Sequence, residues 1–386
     1  MQARPESLEL DRAMLETTVS RALGHEATLV GDWTVAPIKY DAFNPVSAGL
    51  YRVSGTARSA SATGSWSLVV KICHEPQEEW LARLPPDRRA AELDFLRWDR
   101  EAEAYESGLL ETLPRGLVAP RCFGVERDGA SARIWLEDVR DEFSSWDTAR
   151  YALAARHLGR FNGEYLTTKP LPDQAWLSRR WIQGWVAFFT RNAATQLADD
   201  RIWAAPLTLE LFGPSARDEL RRTLAALDGW WAALDRLPVT LGHLDAFRAN
   251  LLSRVTRGQT ETVAVDWAFV GIAPLAADVT QLVLASIFYH GERLEPAVLA
   301  EACLGGYDRG LRDVGCVIAP DALRRAYVIN AITRWLFIFG PFAAVGQPAR
   351  EAAVAEARGK PYRDVLALIA EKTRYLLQLS RDVALD

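Results

Sequence analysis

The stretch Leu241–Leu252, LGHLDAFRANLL, and the one that soon follows it, Thr262–Gly271, TVAVDWAFVG, interrupt a long run of helical periodicity with two short acidic motifs. The first carries His243, Asp245 and Asn250, and the second places Asp266 at the end of an apolar run. A carboxylate directly after β-branched residues is poorly placed for burial and well placed to project from a strand end toward a ligand. Two such carboxylates with a nearby asparagine are hard oxygen donors, few in number. That set suits a magnesium ion whose other positions are filled by nucleotide phosphates. Asp245 can instead accept the proton of an attacking hydroxyl. Each residue alone also has an ordinary reading: Asp245 and Asn250 as turn formers, Asp266 as a helix cap.

Upstream, Lys71 lies within the apolar strand SLVVKIC, where an unpaired ammonium would cost several kcal/mol of desolvation and so calls for an anionic partner. Glu101, in RWDREAEAYESGLL, supplies one, and Glu103, two positions on, is the rival. Around these residues the texture of the chain changes once. Leu8 to Leu23 reads as an opening helix closed by Gly24. From Asp32 to Cys73, WTVAPIKY, LYRVSGTA and WSLVVKIC read as a meander of about three strands. His74 to Ala91 is charged, contains Pro85-Pro86 and reads as an inserted loop; Glu92 to Leu110 reads as a helix. Two more strands, Cys122 to Glu126 and Ala132 to Val139, follow, with the acidic pair Glu137-Asp138 in the second. Beyond RDEFSSWD nearly everything has helical period: Ala152 to Tyr165, Trp176 to Thr195, Ser215 to Leu234, Ala277 to Phe288, Pro296 to Val314, Ala319 to Phe339, Ala349 to Arg358 and Tyr362 to Leu379. This divides the chain into residues 1–139 and residues 140–386.

The order strand Lys, helix Glu, acidic strand end, HxDxxxxN, then apolar-Asp-aromatic resembles the aminoglycoside phosphotransferase and choline kinase group of the protein-kinase-like superfamily. The likeness runs from about Asp32 to about Leu284 and takes in ARHLGRFNGEYL. It implies an α+β, two-lobed kinase-like fold: a small N-terminal lobe of antiparallel sheet and helix that binds nucleotide, and a large, mainly helical C-terminal lobe for catalysis and substrate. It implies ATP and Mg2+ as cofactors and transfer of the γ-phosphoryl group to a hydroxyl of a small molecule such as an aminoglycoside, amino alcohol, choline-like compound or sugar. By the resemblance, Lys71 binds the α- and β-phosphates and is held by Glu101. Ser47, Ala48 and Gly49 cradle phosphate through their backbone N–H groups, and the segment from Glu137 to Val139 binds adenine through its backbone. Asp245 matches the catalytic base, Asn250 and Asp266 the metal ligands, and His243 a histidine that braces the catalytic loop. Asp278, in PLAADVTQLV, matches a later acidic position read as structural, at a helix start.

Three departures from the family pattern stand out. The usual HGD is His243-Leu244-Asp245, the phosphate-covering stretch FNPVSAGLYRV has the single glycine Gly49, and the interval from Lys71 to Glu101 is long. The first two motivate an alternative, a nucleotide-binding but inactive pseudokinase that serves as a binding module. A Ser/Thr protein kinase is the third reading, disfavoured because no DFG and APE pair is evident and Asp266 is followed by Trp-Ala. No GxxxxGK[ST], GxGxxG or GxSxG occurs, and HEPQE at His74 ends in Glu and holds a proline, unlike a zinc helix. His25, His74, His157 and His290 are assigned no catalytic role.

Composition bounds the partners. A net charge of -5 rules out a generally basic surface for nucleic acid. The amino terminus has no continuous apolar stretch, and the apolar run from Trp335 to Val345 is broken by Gly340 and Pro341, so neither a secretory signal nor a membrane span is expected. Four separated cysteines without a CxxC pair suit reduced thiols, no zinc site and a cytoplasmic location. The sequence holds 14 Trp against 2 Met. Trp33, Trp66, Trp98 and Trp135 read as core, and Trp267 as a brace for the loop of Asp266. Trp176, Trp181, Trp185, Trp230, Trp231 and Trp335 read either as helix packing or as an aromatic cage for a cationic or sugar acceptor.

Overall fold

The computed structural model describes residue 8, residues 10–38, 46–60, 62–76 and 82, and residues 89–385, without side-chain placement at 91 and 92. By its internal contacts the chain forms two compact units. One comprises residues up to Ser145 together with Asp173–Ser178 and Asn250–Val270; the other comprises Trp146–Pro172, Arg179–Ala249 and Gly271 onward. The sequence suggested a single cut after residue 139.

The first unit is built on a five-stranded antiparallel sheet with strands β1 (Thr28–Pro37), β2 (Ser47–Arg58), β3 (Thr63–His74), β5 (Cys122–Asp128) and β6 (Ser131–Glu137), in the order β1-β2-β3-β6-β5. The expected meander and the later strand pair are therefore parts of one sheet. Alternation along β3 decides what each face carries. Leu68, Val70 and Ile72 enter one core with Val53, Trp66 and Trp135, which also takes Leu15 and Val19 of the helix Arg12–Leu23. Gly24 ends that helix at φ 75, its N–H returning to the carbonyls of Ser20 and Arg21, the left-handed cap expected there. Val69 and Cys73 enter the opposite core with Ile134, Leu136 and Ala102. Lys71 lies between those two on β3 and so belongs to the face that meets the helix Arg100–Glu106.

The single helix expected over Glu92 to Leu110 is three pieces: Arg89–Phe95, Arg100–Glu106 and a 3-10 turn, Leu109–Thr112. Arg100 is fully buried, and its guanidinium donates to the carbonyls of Asp94 and Phe95 at the end of the preceding helix, and to those of Trp176 and Ala268. A buried arginine that takes up these carbonyls replaces the next helical turn. Most of the expected inserted loop, 77–81 and 83–88, lies outside the described residues.

Strands β4 (Leu117–Val118), β8 (Leu251–Thr256) and β9 (Gln259–Ala264) form a second sheet of this unit in the order β4-β9-β8. The β8–β9 hairpin turns at Arg257 and Gly258, both with positive φ, as two-residue hairpin turns require. Its attachment to β4, together with the bonds Glu142 N–H to Ser253 O (2.9 Å) and Ser253 N–H to Asp141 (2.9 Å), explains why Asn250 and Asp266 group with the first unit.

The second unit is mainly helical. It holds a two-stranded antiparallel pair, β7 (Val239–Gly242) with β10 (Gly271–Pro274), and the longer helices Thr148–Thr167, Ala277–Phe288, Pro296–Asp313, Pro320–Trp335 and Tyr362–Arg381. The helix Ala277–Phe288, expected over that same span, is buried along nearly its whole length. Helices Thr148–Thr167 and Pro296–Asp313 meet through glycine. A Cβ at Gly306 would stand 2.1 Å from the Ala152 carbonyl oxygen, and one at Gly310 2.0 Å from that of Arg156. Two short helices, Asp200–Trp203 and Pro206–Phe212, had no counterpart in the sequence reading. The segment Pro320–Ala344 is apolar and long enough to cross a membrane by length and composition, but 78% of its most apolar window is buried inside the protein, as in a core helix. All four cysteines are unpaired.

Candidate functional site

In the first unit the structure brings Lys71, Glu101 and Asp266 together. Lys71 Nζ forms ion pairs with Glu101 Oε2 and, at 2.7 Å, with Asp266 Oδ1. Lys71 and Glu101 are buried, whereas the Asp266 side chain keeps 34% of its exposure. Burial opposes the charge on Lys71, but Asp266 and Glu101 outweigh it and hold the ammonium well above its ordinary pKa. Burial likewise raises the Glu101 carboxyl, with Lys71 acting against that shift. The rival Glu103 pairs instead with Arg127 at 3.0 Å, so the long interval after Lys71 does not displace Glu101 from its partner.

Asp266 follows β9 at φ 61, a left-handed conformation uncommon for a residue with a side chain. Trp267 holds the turn: its N–H donates to Glu101 Oε1 (3.2 Å) and its fully buried indole N–H to the Ala264 carbonyl (2.8 Å). The brace expected of Trp267 thus ties Asp266 to the partner of Lys71. The Asn250 carbonyl accepts the N–H of Val265, immediately before Asp266, at 2.9 Å. Asn250 and Asp266 contribute amide and carboxylate oxygens, which fit a hard cation such as Mg2+. Among the described residues no group of three His, Cys, Asp or Glu side chains forms a metal cluster.

Ser47, Ala48 and Gly49 begin β2, beside Lys71 in the ladder: Ser47 is opposite Cys73, Gly49 opposite Ile72 and Leu50 opposite Lys71, with a register shift between Ser47 and Gly49. That shift makes Ala48 the extra residue of a bulge. The Tyr51 ring would stand 2.5 Å from a Cβ at Gly49, so the stretch's one glycine is needed for close approach. Phe43 to Pro45 lie outside the described residues. At the end of β6, the N–H of Glu137 donates to the Arg121 carbonyl and that of Val139 to the Glu137 carbonyl. The carboxylate of Glu137 pairs with Arg254 at 3.2 Å, and Asp138 is held by Arg52 at 2.8 Å and by Ser67 at 2.6 Å.

In the second unit, β7 delivers His243, Leu244 and Asp245 into a buried polar network. Asp278, at the start of its helix as expected, accepts the N–H of His243 (3.0 Å) and that of Leu244 (2.7 Å). Its role therefore goes beyond favouring a helix terminus. Asn162 donates to Asp278 (3.0 Å) and to the Leu241 carbonyl (2.8 Å), and accepts from the Tyr307 hydroxyl (2.7 Å). His243 is fully buried, and its Nδ1 accepts the N–H of Asp245 at 3.2 Å. That bond assigns the remaining ring proton to Nε2 and gives the histidine a bracing part. Gln281 donates from Nε2 to Asp245 Oδ1 at 2.8 Å. Leu244 is fully buried at φ 65, which supplies a physical reason for glycine in the usual pattern: that backbone conformation crowds a Cβ.

The sequence reading did not single out Asn162, Gln281, Tyr307 or Arg334. A signal for Arg334 was present, since it is the one charged residue in the stretch INAITRWLF; Asn162 and Gln281 offered none. Of the tryptophans, Trp66 and Trp135 are core, Trp33 packs partly buried against that core, and Trp98 packs against the core on the sheet's other face. Trp176 falls in the first unit by its contacts. Trp181 and Trp185 do face a cation, but it is the chain's own: the Arg334 guanidinium carbon lies 4.9 and 4.8 Å from their ring centroids.

No protein-family model and no curated protein matches this chain. Solved structures to which it is similar include an amicoumacin kinase in complex with AMP-PNP, Ca2+ and Ami, at 15% identity and a TM-score of 0.45, covering 93% of this chain and 95% of that one. Another is an aminoglycoside phosphotransferase from Alicyclobacillus acidocaldarius, at 17% identity and a TM-score of 0.46, covering 90% and 92%. A third is a choline kinase from Cryptosporidium parvum, at 11% identity and a TM-score of 0.45, covering 91% and 89%.

Proposed function

We propose that this protein is an ATP- and Mg2+-dependent phosphotransferase that moves the γ-phosphoryl group to a hydroxyl of a small molecule. The observation that carries the reading is the buried pair Lys71–Glu101 with Asp266 joined to it. An ammonium and a carboxylate withdrawn from water cost several kcal/mol each, and packing alone gains little from them. Phosphoryl transfer gives such a group a task, because it depends on positioning and charge neutralisation more than on covalent chemistry.

In this reading Lys71 neutralises phosphate oxygens and Glu101 keeps its ammonium in place. Asn250 and Asp266 hold Mg2+, which when bound neutralises charge on the phosphates. Asp245 accepts the hydrogen bond of the acceptor hydroxyl, aligns it for attack and takes its proton, with His243 holding its backbone N–H and Gln281 its carboxylate. Leu244 holds its left-handed position with its N–H on Asp278 and its carbonyl on Arg334, an ordered loop that supports the active reading over an inactive binding module. The test is a screen of Mg·ATP consumption over hydroxylated amines, sugars and antibiotics, with the phosphate position mapped on each hit. The proposal expects ADP and phosphorylated acceptor in equal amounts for at least one compound. ATP binding without turnover over the whole panel would instead favour a nucleotide-binding module.

A further inference from the structure

Arg334 is the one charged residue of the stretch INAITRWLF, near the end of the helix Pro320–Trp335, and is only 2% exposed. Its Nη2 donates to the Leu244 carbonyl at 2.9 Å, and its guanidinium carbon lies 4.9 and 4.8 Å from the ring centroids of Trp181 and Trp185. Nε and Nη1 have no hydrogen-bond partner among the described residues. Burial lowers its pKa to about 10, while the charges of Asp245 and Asp278 act in the opposite direction. A buried arginine with a single hydrogen bond is costly to keep. The group it reaches is the peptide of the one residue in this loop whose backbone conformation is unfavourable for its side chain.

The Leu244 peptide groups are gripped at both ends by opposite charges. Its N–H donates to the Asp278 carboxylate at 2.7 Å, and its carbonyl accepts from the Arg334 guanidinium. Charge-assisted hydrogen bonds of this kind are roughly twice as strong as neutral ones. We propose that Arg334 is a positioning residue that, together with Asp278, clamps Leu244 in the left-handed conformation and so fixes the direction of the Asp245 carboxylate. Glycine would take that conformation unaided; leucine requires the clamp. The two indoles face the guanidinium and help hold it in place, which makes Trp181 and Trp185 supports of the catalytic loop and not a cage for a cationic acceptor. The inference rests on the reading of Asp245 as the catalytic carboxylate.

The test uses the full-length protein with Arg334→Met, Arg334→Lys, Leu244→Gly and the double change Leu244→Gly with Arg334→Met. One readout, amide hydrogen exchange in peptides spanning Leu241–Asn250, is independent of activity. The other is Mg·ATP turnover against pH, with water as acceptor if the screen finds no better one, alongside nucleotide affinity. Arg334→Met is expected to speed exchange across the loop and to lower kcat about tenfold, the size of effect expected from losing one well-placed hydrogen bond to a charged group, with nucleotide affinity unchanged. Arg334→Lys restores part of both. In the Leu244→Gly background the same Arg334→Met change has much less effect. The acidic limb of the pH profile moves up in Arg334→Met, because a positive charge near Asp245 has gone. Unchanged exchange and an unchanged pH limb in Arg334→Met overturn the inference, as does an undiminished effect in the glycine background. Should Arg334→Met not fold, Arg334→Lys with and without Leu244→Gly makes the same comparison. Undiminished turnover in Asp245→Asn removes the catalytic reading, while hydrogen exchange still decides the clamp.

Discussion

Lys71 was legible in the sequence as a charge in an apolar strand, and the alternation of β3 explains its placement: Val69, Lys71 and Cys73 share the face covered by the helix that carries Glu101. Glu101→Gln removes one partner of the buried pair and leaves Lys71 with Asp266. A loss of about 3 kcal/mol is expected in chemical denaturation, near the lower end for a broken buried ion pair. A loss below about 1 kcal/mol would mean that the carboxylate contributes little. Gln281 is a second residue-scale case. Gln281→Leu removes the amide that donates to Asp245, so kcat should fall about tenfold while nucleotide affinity holds. Equal losses in both quantities would point to general damage. Nothing in PLAADVTQLV distinguishes Gln281 from a surface glutamine, because its meaning arises only when Asp245, far away in the chain, arrives beside it.

At the scale of elements, helical period gave the span Ala277–Phe288 without error, and Gly24 gave the end of the first helix, because both signals are local. The break between Arg89–Phe95 and Arg100–Glu106 was not legible. It depends on Arg100 reaching the carbonyls of Trp176 and Ala268, distant partners that no periodicity records. The meeting of Thr148–Thr167 with Pro296–Asp313 is of the same kind: Gly159, Gly163, Gly306 and Gly310 let the two backbones approach, which sets Asn162 against Tyr307 and Asp278. Gly310→Ala should therefore destabilise by about 2 kcal/mol through overpacking. The neighbouring Gly305, whose added Cβ would meet only Arg309 at 3.6 Å, provides the contrast. Gly305→Ala should be neutral or stabilising by up to about 1 kcal/mol, the helix propensity difference. Similar effects at both positions in thermal unfolding would contradict the close approach.

For the molecule as a whole, composition pointed to aromatic excess, but only the folded chain assigns it: core on the sheet, a brace at Trp267, and support for Arg334 at Trp181 and Trp185. Another buried cation, Lys372, donates to the Ile338 carbonyl at 2.6 Å, and burial lowers its pKa from 10.5 to about 7. Below about pH 7 the folded and unfolded chains both carry this charge, and the burial penalty is complete. Between about 7 and 10.5 only the unfolded chain keeps the proton, so the penalty fades as pH rises. Lys372→Met should raise Tm by at least about 2 °C at pH 6 and by progressively less toward pH 10. A gain independent of pH would contradict the assignment. In the proposed reaction the labour is divided between Asp245 and the Lys71–Asp266 set. Mg·ATP affinity and phosphoryl transfer measured side by side in Asp245→Ala and Asp266→Ala separate the two parts. Asp245→Ala is expected to bind Mg·ATP normally and to lose transfer by at least about a hundredfold, whereas Asp266→Ala loses nucleotide affinity itself. An Asp245→Ala protein that binds Mg·ATP and transfers phosphate at the unaltered rate would contradict that division.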